Sequence, residues 1–246
     1  MHTIKRISLS GQDPCWPIVS GSLLLILNTC HDGRLRLLTP DGERRLILAP
    51  GRGMLFVADQ GVVHPLAGEP QGWAIPLPWV CRLLAFVEHW RTIPLPAAKL
   101  PACLTIPCHA SPQTFENWFL RMWLFGRDPL FHSLLQRLRR CEGYGLIRHL
   151  LAEHEQAVPL AQLARRYGLS ASHFRRLAHD ALGQSAKSAM MTWRLRRTIL
   201  DAICREVSLT SLAMQYGYAS SSHLSNDARR QLGVSPQWLL GRTQPV

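Results

Sequence analysis

The sequence predicts an α+β chain of more than one domain. A small antiparallel β barrel or jelly-roll-like domain comes first, followed by an all-α region in which a linker helix joins two helix-turn-helix units. Three observations lead there: closely spaced turns near the start, a switch to helical periodicity after Pro112, and an internal repeat in the last third.

From about Ser20 to Gly68 the chain reads as short strands. HDG, PDG and PGRG supply turn residues, and between them apolar and polar residues partly alternate, as in Leu35-Arg36-Leu37 and Arg45-Leu46-Ile47-Leu48. Turns at this spacing favour a small barrel or jelly roll. From Trp73 to Ala110 prolines are dense, and the stretch Trp79 to Trp90 is long enough for one helix. Phe115, Trp118, Phe119, Met122 and Trp123 then recur at helical steps, as do Phe131, Leu134, Leu135 and Leu138. The expected organisation is a β-rich regulatory domain over 1–110, a helical connector over 111–142, and a helical domain over 143–246.

The repeat lies in this last region. Leu160, Leu163, Ala164, Tyr167 and Gly168 are matched by Leu209, Leu212, Ala213, Tyr216 and Gly217, an offset of 49. His173 and Gly183 match His223 and Gly233 at an offset of 50, so the second copy holds one extra residue in its turn. Two copies are too few for a solenoid, and the spacing fits two helix-turn-helix units. Ala164 and Ala213 are small where helices cross. Gly168 and Gly217 stand where the turn needs a left-handed backbone, and Ser170 and Ser220 can cap the helices that follow.

Those following helices are the candidate recognition helices. In the first, Phe174, Leu177, Ala178 and Ala181 form an apolar stripe, and Ser172, Arg175, Arg176 and His179 form the opposite face. In the second, Ser222, His223, Asn226, Arg229 and Arg230 are expected outside, with Leu224, Ala228 and Leu232 inside. Such faces can read base edges or can simply be solvated. Between the units, Ala186 to Cys204 contains neither Pro nor Gly. Nineteen helical residues span roughly 28 Å, near the ~34 Å between successive major grooves on one duplex face. Its apolar residues form two sets, Met190, Trp193 and Leu200 on one side and Met191, Leu195, Ile199 and Ala202 on another.

Composition agrees. The 246 residues carry 28 Lys+Arg against 16 Asp+Glu, a net charge of +12. Only Lys5, Lys99 and Lys187 are lysines, leaving 25 arginines, whose planar fork suits phosphates and guanine edges. A codon bias toward Arg, or a solvated basic surface, gives the same count. With 47% apolar residues the chain is globular, and its longest apolar run, Leu23 to Leu27, is far short of a membrane span. MHTIKRISLSGQDP lacks a signal-peptide layout, and seven scattered cysteines fit a reducing compartment, so a cytoplasmic protein is expected. Cys103, Cys108 and His109 cluster, but no second close pair at zinc spacing follows, and His64 at a strand end lacks a partner His. No cofactor, metal or catalytic residue is therefore expected, and no P-loop, nucleophile elbow or dinucleotide glycine motif is present.

Residues Gly143 to Arg242 resemble the DNA-binding domain of AraC/XylS-type transcription regulators. The resemblance rests on LAQLARRYGLSASHF, WRLRRTIL, LTSLAMQYGYASSSHL and LGVSPQWL in that order. Within the family, SHFRRLAHDALGQSAKSAMMTWRLRRTIL is most similar to the InvF-like branch, which activates type III secretion invasion genes. The resemblance implies base contacts by Ser172, Arg175 and Arg176, then by Ser222, His223 and Asn226, and His179 is expected to join them because it lies on the same helix face. Beside what the resemblance implies, phosphate contacts are expected from the cations Arg165, Arg166, Lys187, Arg194, Arg229 and Arg230. The resemblance also implies promoter DNA and RNA polymerase as partners, no membrane, and a homodimer through the N-terminal domain. The input that the resemblance implies is a secretion-chaperone co-activator or a small effector. Leu224 and Ala228 stand where the family usually has aromatics, Asn226 where it usually has Arg, and Thr198 where a linker Ala is frequent. The alternatives are a small-molecule-sensing regulator, or a protein-interaction module that keeps the scaffold with little DNA affinity.

Overall fold

The computed structural model describes residues 4–9, 14–27, 32–58, 60–89, 103–107, 113–153, 158–204 and 207–243. It comprises two compact units, residues 1–145 and 146–246.

Among the described residues the first unit holds the strands β1 (Lys5–Ile7), β2 (Trp16–Ile18), β3 (Ser22–Leu27), β4 (Gly33–Thr39), β5 (Gly42–Leu48), β6 (Arg52–Phe56), β7 (Gly61–Ala67), β8 (Gln71–Pro76) and β9 (Cys103–Pro107). They pair antiparallel in two sheets, ordered β1-β8-β3-β6-β9 and β2-β7-β4-β5. The PDG turn joins β4 and β5, with Thr39 opposite Gly42 and Leu35 opposite Leu46. Trp16, Ile18, Leu24, Ile26, Leu35, Leu37, Met54, Phe56 and Val63 interdigitate between the sheets.

The antiparallel strands match the turn spacing, yet no pairing among the described strands joins the two sheets into a closed barrel. The edge strand β5 shows why: Glu43, Arg44 and Arg45 are exposed along it, and charged side chains discourage further pairing. His64, expected at a strand end, lies inside β7 opposite Arg36 and is buried.

The described residues of this unit also form the helices α1 (Leu77–Val87), α2 (Phe115–Phe125) and α3 (Pro129–Arg140). The helix expected over Trp79–Trp90 thus forms two residues earlier, started by Pro78 in its first turn. The aromatic stripe after Pro112 is core: Phe115 packs on Trp79 at 5.8 Å, and Phe131 meets Phe119 at 5.5 Å and Trp118 at 5.7 Å, edge to face.

Glu88 closes this packing. It caps α1 and is fully buried, so its charge requires partners. Its carboxylate accepts the Arg139 guanidinium of α3, Tyr144 Oη at 2.7 Å and Trp123 Nε1 at 3.2 Å. Tyr144 belongs to α4 (Glu142–Glu153), which runs on into the second unit.

The second unit is helical: α5 (Leu160–Tyr167), α6 (Ala171–Leu182), α7 (Ala186–Cys204), α8 (Leu209–Gln215), α9 (Ser221–Leu232) and α10 (Pro236–Thr243). The linker helix has the expected ends. Its inner face is Ala186, Ala189, Met190, Leu195, Thr198, Ile199, Asp201 and Ala202. Leu200, expected inside, is 57% exposed, and Leu232 of α9 is 42% exposed. Carboxylates replace these leucines in the interior: Asp201 and Asp227 are buried where the apolar periodicity placed no charge.

Candidate nucleic-acid interface

Both helix pairs are built by the same local chemistry. After α5, Gly168 adopts φ +84°, and the Leu169 N–H bonds back to the Ala164 carbonyl at 2.9 Å. After α8, Gly217 adopts φ +69°, and the Tyr218 N–H reaches the Ala213 carbonyl at 2.8 Å. A side chain at either glycine would strain this left-handed turn. Ser170 Oγ then accepts the His173 N–H at 3.3 Å, and Ser220 Oγ accepts the His223 N–H at 3.1 Å. These caps fix where α6 and α9 begin, and so which side chains face outward.

On α6, Phe174, Ala178, Ala181 and Leu182 are buried. Phe174 stands edge-on to Tyr167 at 5.9 Å and to His149 of α4 at 6.3 Å, and His149 Nε2 lies 3.2 Å from the Leu163 carbonyl. Helix α4 therefore buttresses the first pair, a contact that the periodicity did not single out. Ser172, Arg175, Arg176 and His179 are all exposed on the opposite face. Ser172 Oγ also shares a 3.3 Å hydrogen bond with the capping Ser170.

On α9, Ser222, His223, Asn226, Arg229 and Arg230 are exposed, and Leu224 and Ala228 are buried. Two of these outward residues are held locally. His223 Nδ1 accepts the Ala219 N–H at 3.4 Å, and its ring stands edge-on to Tyr218 at 5.4 Å. Arg230 pairs with the buried Asp227, which also accepts Gln231 Nε2 at 2.9 Å and Tyr218 Oη at 3.3 Å. Asp227 thus ties Arg230 and Gln231 of α9 to Tyr218 in the turn before it. The only signal for it in the sequence is an Asp three residues before an Arg on one helix.

The remaining cations divide by position. Arg165 is exposed at the end of α5, and Arg166 pairs with Glu153 at 2.6 Å. Lys187 is exposed at the start of α7, and Arg194 is half-buried one helix-half further along. Arg175, Lys187, Arg194, His223 and Asp227 share one cavity of about 690 Å³, whose apolar wall includes Leu163, Met190 and Met191. Residues of α6, α7 and α9 thus line one concavity. Asn226, Ser222, Ser172 and Arg176 do not line it.

Buried polar groups brace the long helix. Tyr216 Oη donates to Asp201 at 2.6 Å, Arg197 pairs with Asp201 at 3.4 Å, and Thr192 Oγ1 donates to Gln231 of α9 at 2.9 Å. Burial pushes the Tyr218 phenol up from its ordinary range, and the adjacent Asp227 adds to it. Burial does the same to Tyr216, reinforced by its hydrogen bond to Asp201. Cys103 lies on β9, and Cys108 and His109 lie outside the described residues. No helix among the described residues is long and apolar enough to cross a membrane.

A family model described as a helix-turn-helix domain matches residues 163–242, a stretch that runs from within α5 through both glycine turns into α10. The invasion protein InvF of Salmonella typhimurium is 31% identical over 196 residues, covering 76% of this chain and 88% of InvF. The transcriptional regulator MxiE of Shigella flexneri is 38% identical over 119 residues, covering 48% of this chain and 57% of MxiE. The virulence regulon transcriptional activator VirF of Yersinia enterocolitica is 26% identical over 125 residues, 49% of this chain and 45% of VirF. Capped helix pairs with basic outer faces, and a likeness to InvF that extends well beyond them, place the chain in the AraC/XylS-type family of helix-turn-helix transcription regulators.

Proposed function

We propose that this protein is a cytoplasmic, sequence-specific activator of type III secretion and virulence genes, acting on promoter DNA together with RNA polymerase. Both helix pairs serve as helix-turn-helix units over residues 143–246. The α6 side chains Ser172, Arg175, Arg176 and His179 read base edges in one major groove, and Ser222, His223 and Asn226 of α9 read the next. Arg165, Arg166, Lys187, Arg194, Arg229 and Arg230 hold phosphates on either side.

The observation that carries this reading is the exposed quartet on α6, opposite an inner face on which Phe174, Ala178, Ala181 and Leu182 are buried. The cavity shared by Arg175, Lys187, Arg194 and His223 supports a common approach side for α6 and α9. The shorter side chains of α9, with Arg230 paired to Asp227, favour weaker base readout there and more dependence on DNA shape.

Residues 1–110 form the regulatory domain, a jelly-roll-like pair of sheets, and 111–142 connect it to the reading domain. Its input is a secretion-chaperone co-activator, and it supplies the dimer contact. The likeness to the invasion protein InvF and to the virulence regulon transcriptional activator VirF supports this choice of target genes.

A salt titration of binding to a promoter fragment tests the reading. Six phosphate contacts give a slope of log affinity against log salt of about −5. A flat response, with no binding above non-specific affinity at low salt, would instead favour a protein-interaction module on the same scaffold.

A further inference from the structure

Two cysteines that play no part in the DNA-facing surface meet where α1 lies against the end of α3. Cys81 is buried on α1, and Cys141 caps α3 in a half-buried position. Cys81 Sγ approaches the Leu138 carbonyl at 3.8 Å, and the Cys141 backbone N–H donates to that same oxygen at 3.1 Å. Cys141 Sγ lies 3.5 Å from the neighbouring Arg137 carbonyl. The two thiols therefore gather around a single helical turn, against the carbonyls of the adjacent residues Arg137 and Leu138. The contact with Cys141 and burial both push the Cys81 thiol up, and the Arg137 guanidinium acts the other way. Cys81 is thus kept as a thiol, and Cys141 is the sulfur with access to solvent.

We propose that Cys81 and Cys141 form a dithiol modification site that hydroperoxides oxidise to a disulfide. The Cys141 thiolate attacks the outer oxygen of the hydroperoxide, the O–O bond breaks, and the alcohol or water leaves with a proton. Cys141 is then a sulfenic acid. Cys81 Sγ attacks that sulfur, the S–O bond breaks, and hydroxide leaves with the Cys81 proton as water. Two thiols lose two electrons in total, and one hydroperoxide becomes one alcohol and one water. The new bond fixes α1 to the junction of α3 and α4. Glu88 already gathers Arg139 and Tyr144 at that seam, one on each side of Cys141 in sequence. Disulfides in a reducing compartment are typically transient and redox-sensing, which suits a pair with one buried and one accessible sulfur.

The experiment treats the full chain with a small molar excess of hydrogen peroxide, blocks remaining thiols with iodoacetamide under denaturing conditions, and maps the peptides by mass. The expected product joins the Cys81 and Cys141 peptides, lacks two hydrogens and is reversed by dithiothreitol, with Cys15, Cys103 and Cys204 alkylated. The oxidised protein should also melt several degrees higher, because the link constrains the unfolded chain. C141S should remove both effects. C81A should leave a Cys141 sulfenic acid that dimedone traps. Recovery of alkylated Cys81 under conditions that oxidise Cys141, or a link from Cys141 to a different cysteine, would overturn the proposal. The wild-type map decides even if a variant fails to fold.

Discussion

Tyr216 donates its phenolic proton to Asp201 at 2.6 Å, which ties the turn after α8 to the inner face of the long helix α7. Both residues are buried, and Arg197 pairs with that carboxylate as a cation. Removing the phenol oxygen leaves a buried charge short of one donor. Tyr216→Phe is expected to cost about 1–3 kcal/mol, read as a lower urea midpoint with an unchanged slope. An unchanged midpoint would mean that Asp201 is satisfied without Tyr216.

Alkaline pH should loosen the same half of the domain. Tyr216 and Tyr218 both hold their protons more tightly when folded than when unfolded, chiefly through burial. Their contribution is fully present below about pH 10, where the unfolded phenols still carry protons. Above that pH the unfolded chain releases protons that the folded chain keeps. Stability then falls by about 1.4 kcal/mol per pH unit for each tyrosine. Tyr218→Phe should flatten the decline by one such share between about pH 10 and 11.5, measured by urea melts at fixed pH. A decline of unchanged steepness would assign it to other groups.

The parts of the chain that were legible in the sequence are those set by short-range rules. The glycine turns, the serine caps and the ends of α6 and α7 follow from residue type at fixed spacing, so Ser172, Arg175 and Arg176 emerge outward as read. What depends on distant partners was not legible. Glu88, Asp201 and Asp227 look like ordinary surface carboxylates until Arg139, Tyr216 and Tyr218 are brought beside them by folding. Leu200 and Leu232 fit an apolar stripe, yet each lies beyond the reach of its core, and periodicity alone does not mark where a neighbouring helix ends. The separation into two open sheets likewise turns on which edges carry charge, which becomes clear only once the strand order is known.

Arg176 is exposed at the middle of α6. If it forks onto a guanine, Arg176→Ala should weaken binding to the cognate promoter by about 1–3 kcal/mol and relax preference at one base position. A panel of single-base variants in a competition assay resolves this. Equal losses on cognate and scrambled DNA would make Arg176 a phosphate contact.

The central claim is that α7, 19 residues long, holds α6 and α9 at the spacing of successive major grooves. It is tested most directly by inserting five base pairs between the two protected segments of a footprinted promoter fragment, which rotates one segment by half a turn. Affinity should fall to that of a fragment keeping only the α6 segment. Equal affinity before and after the insertion would contradict a rigid two-groove reader.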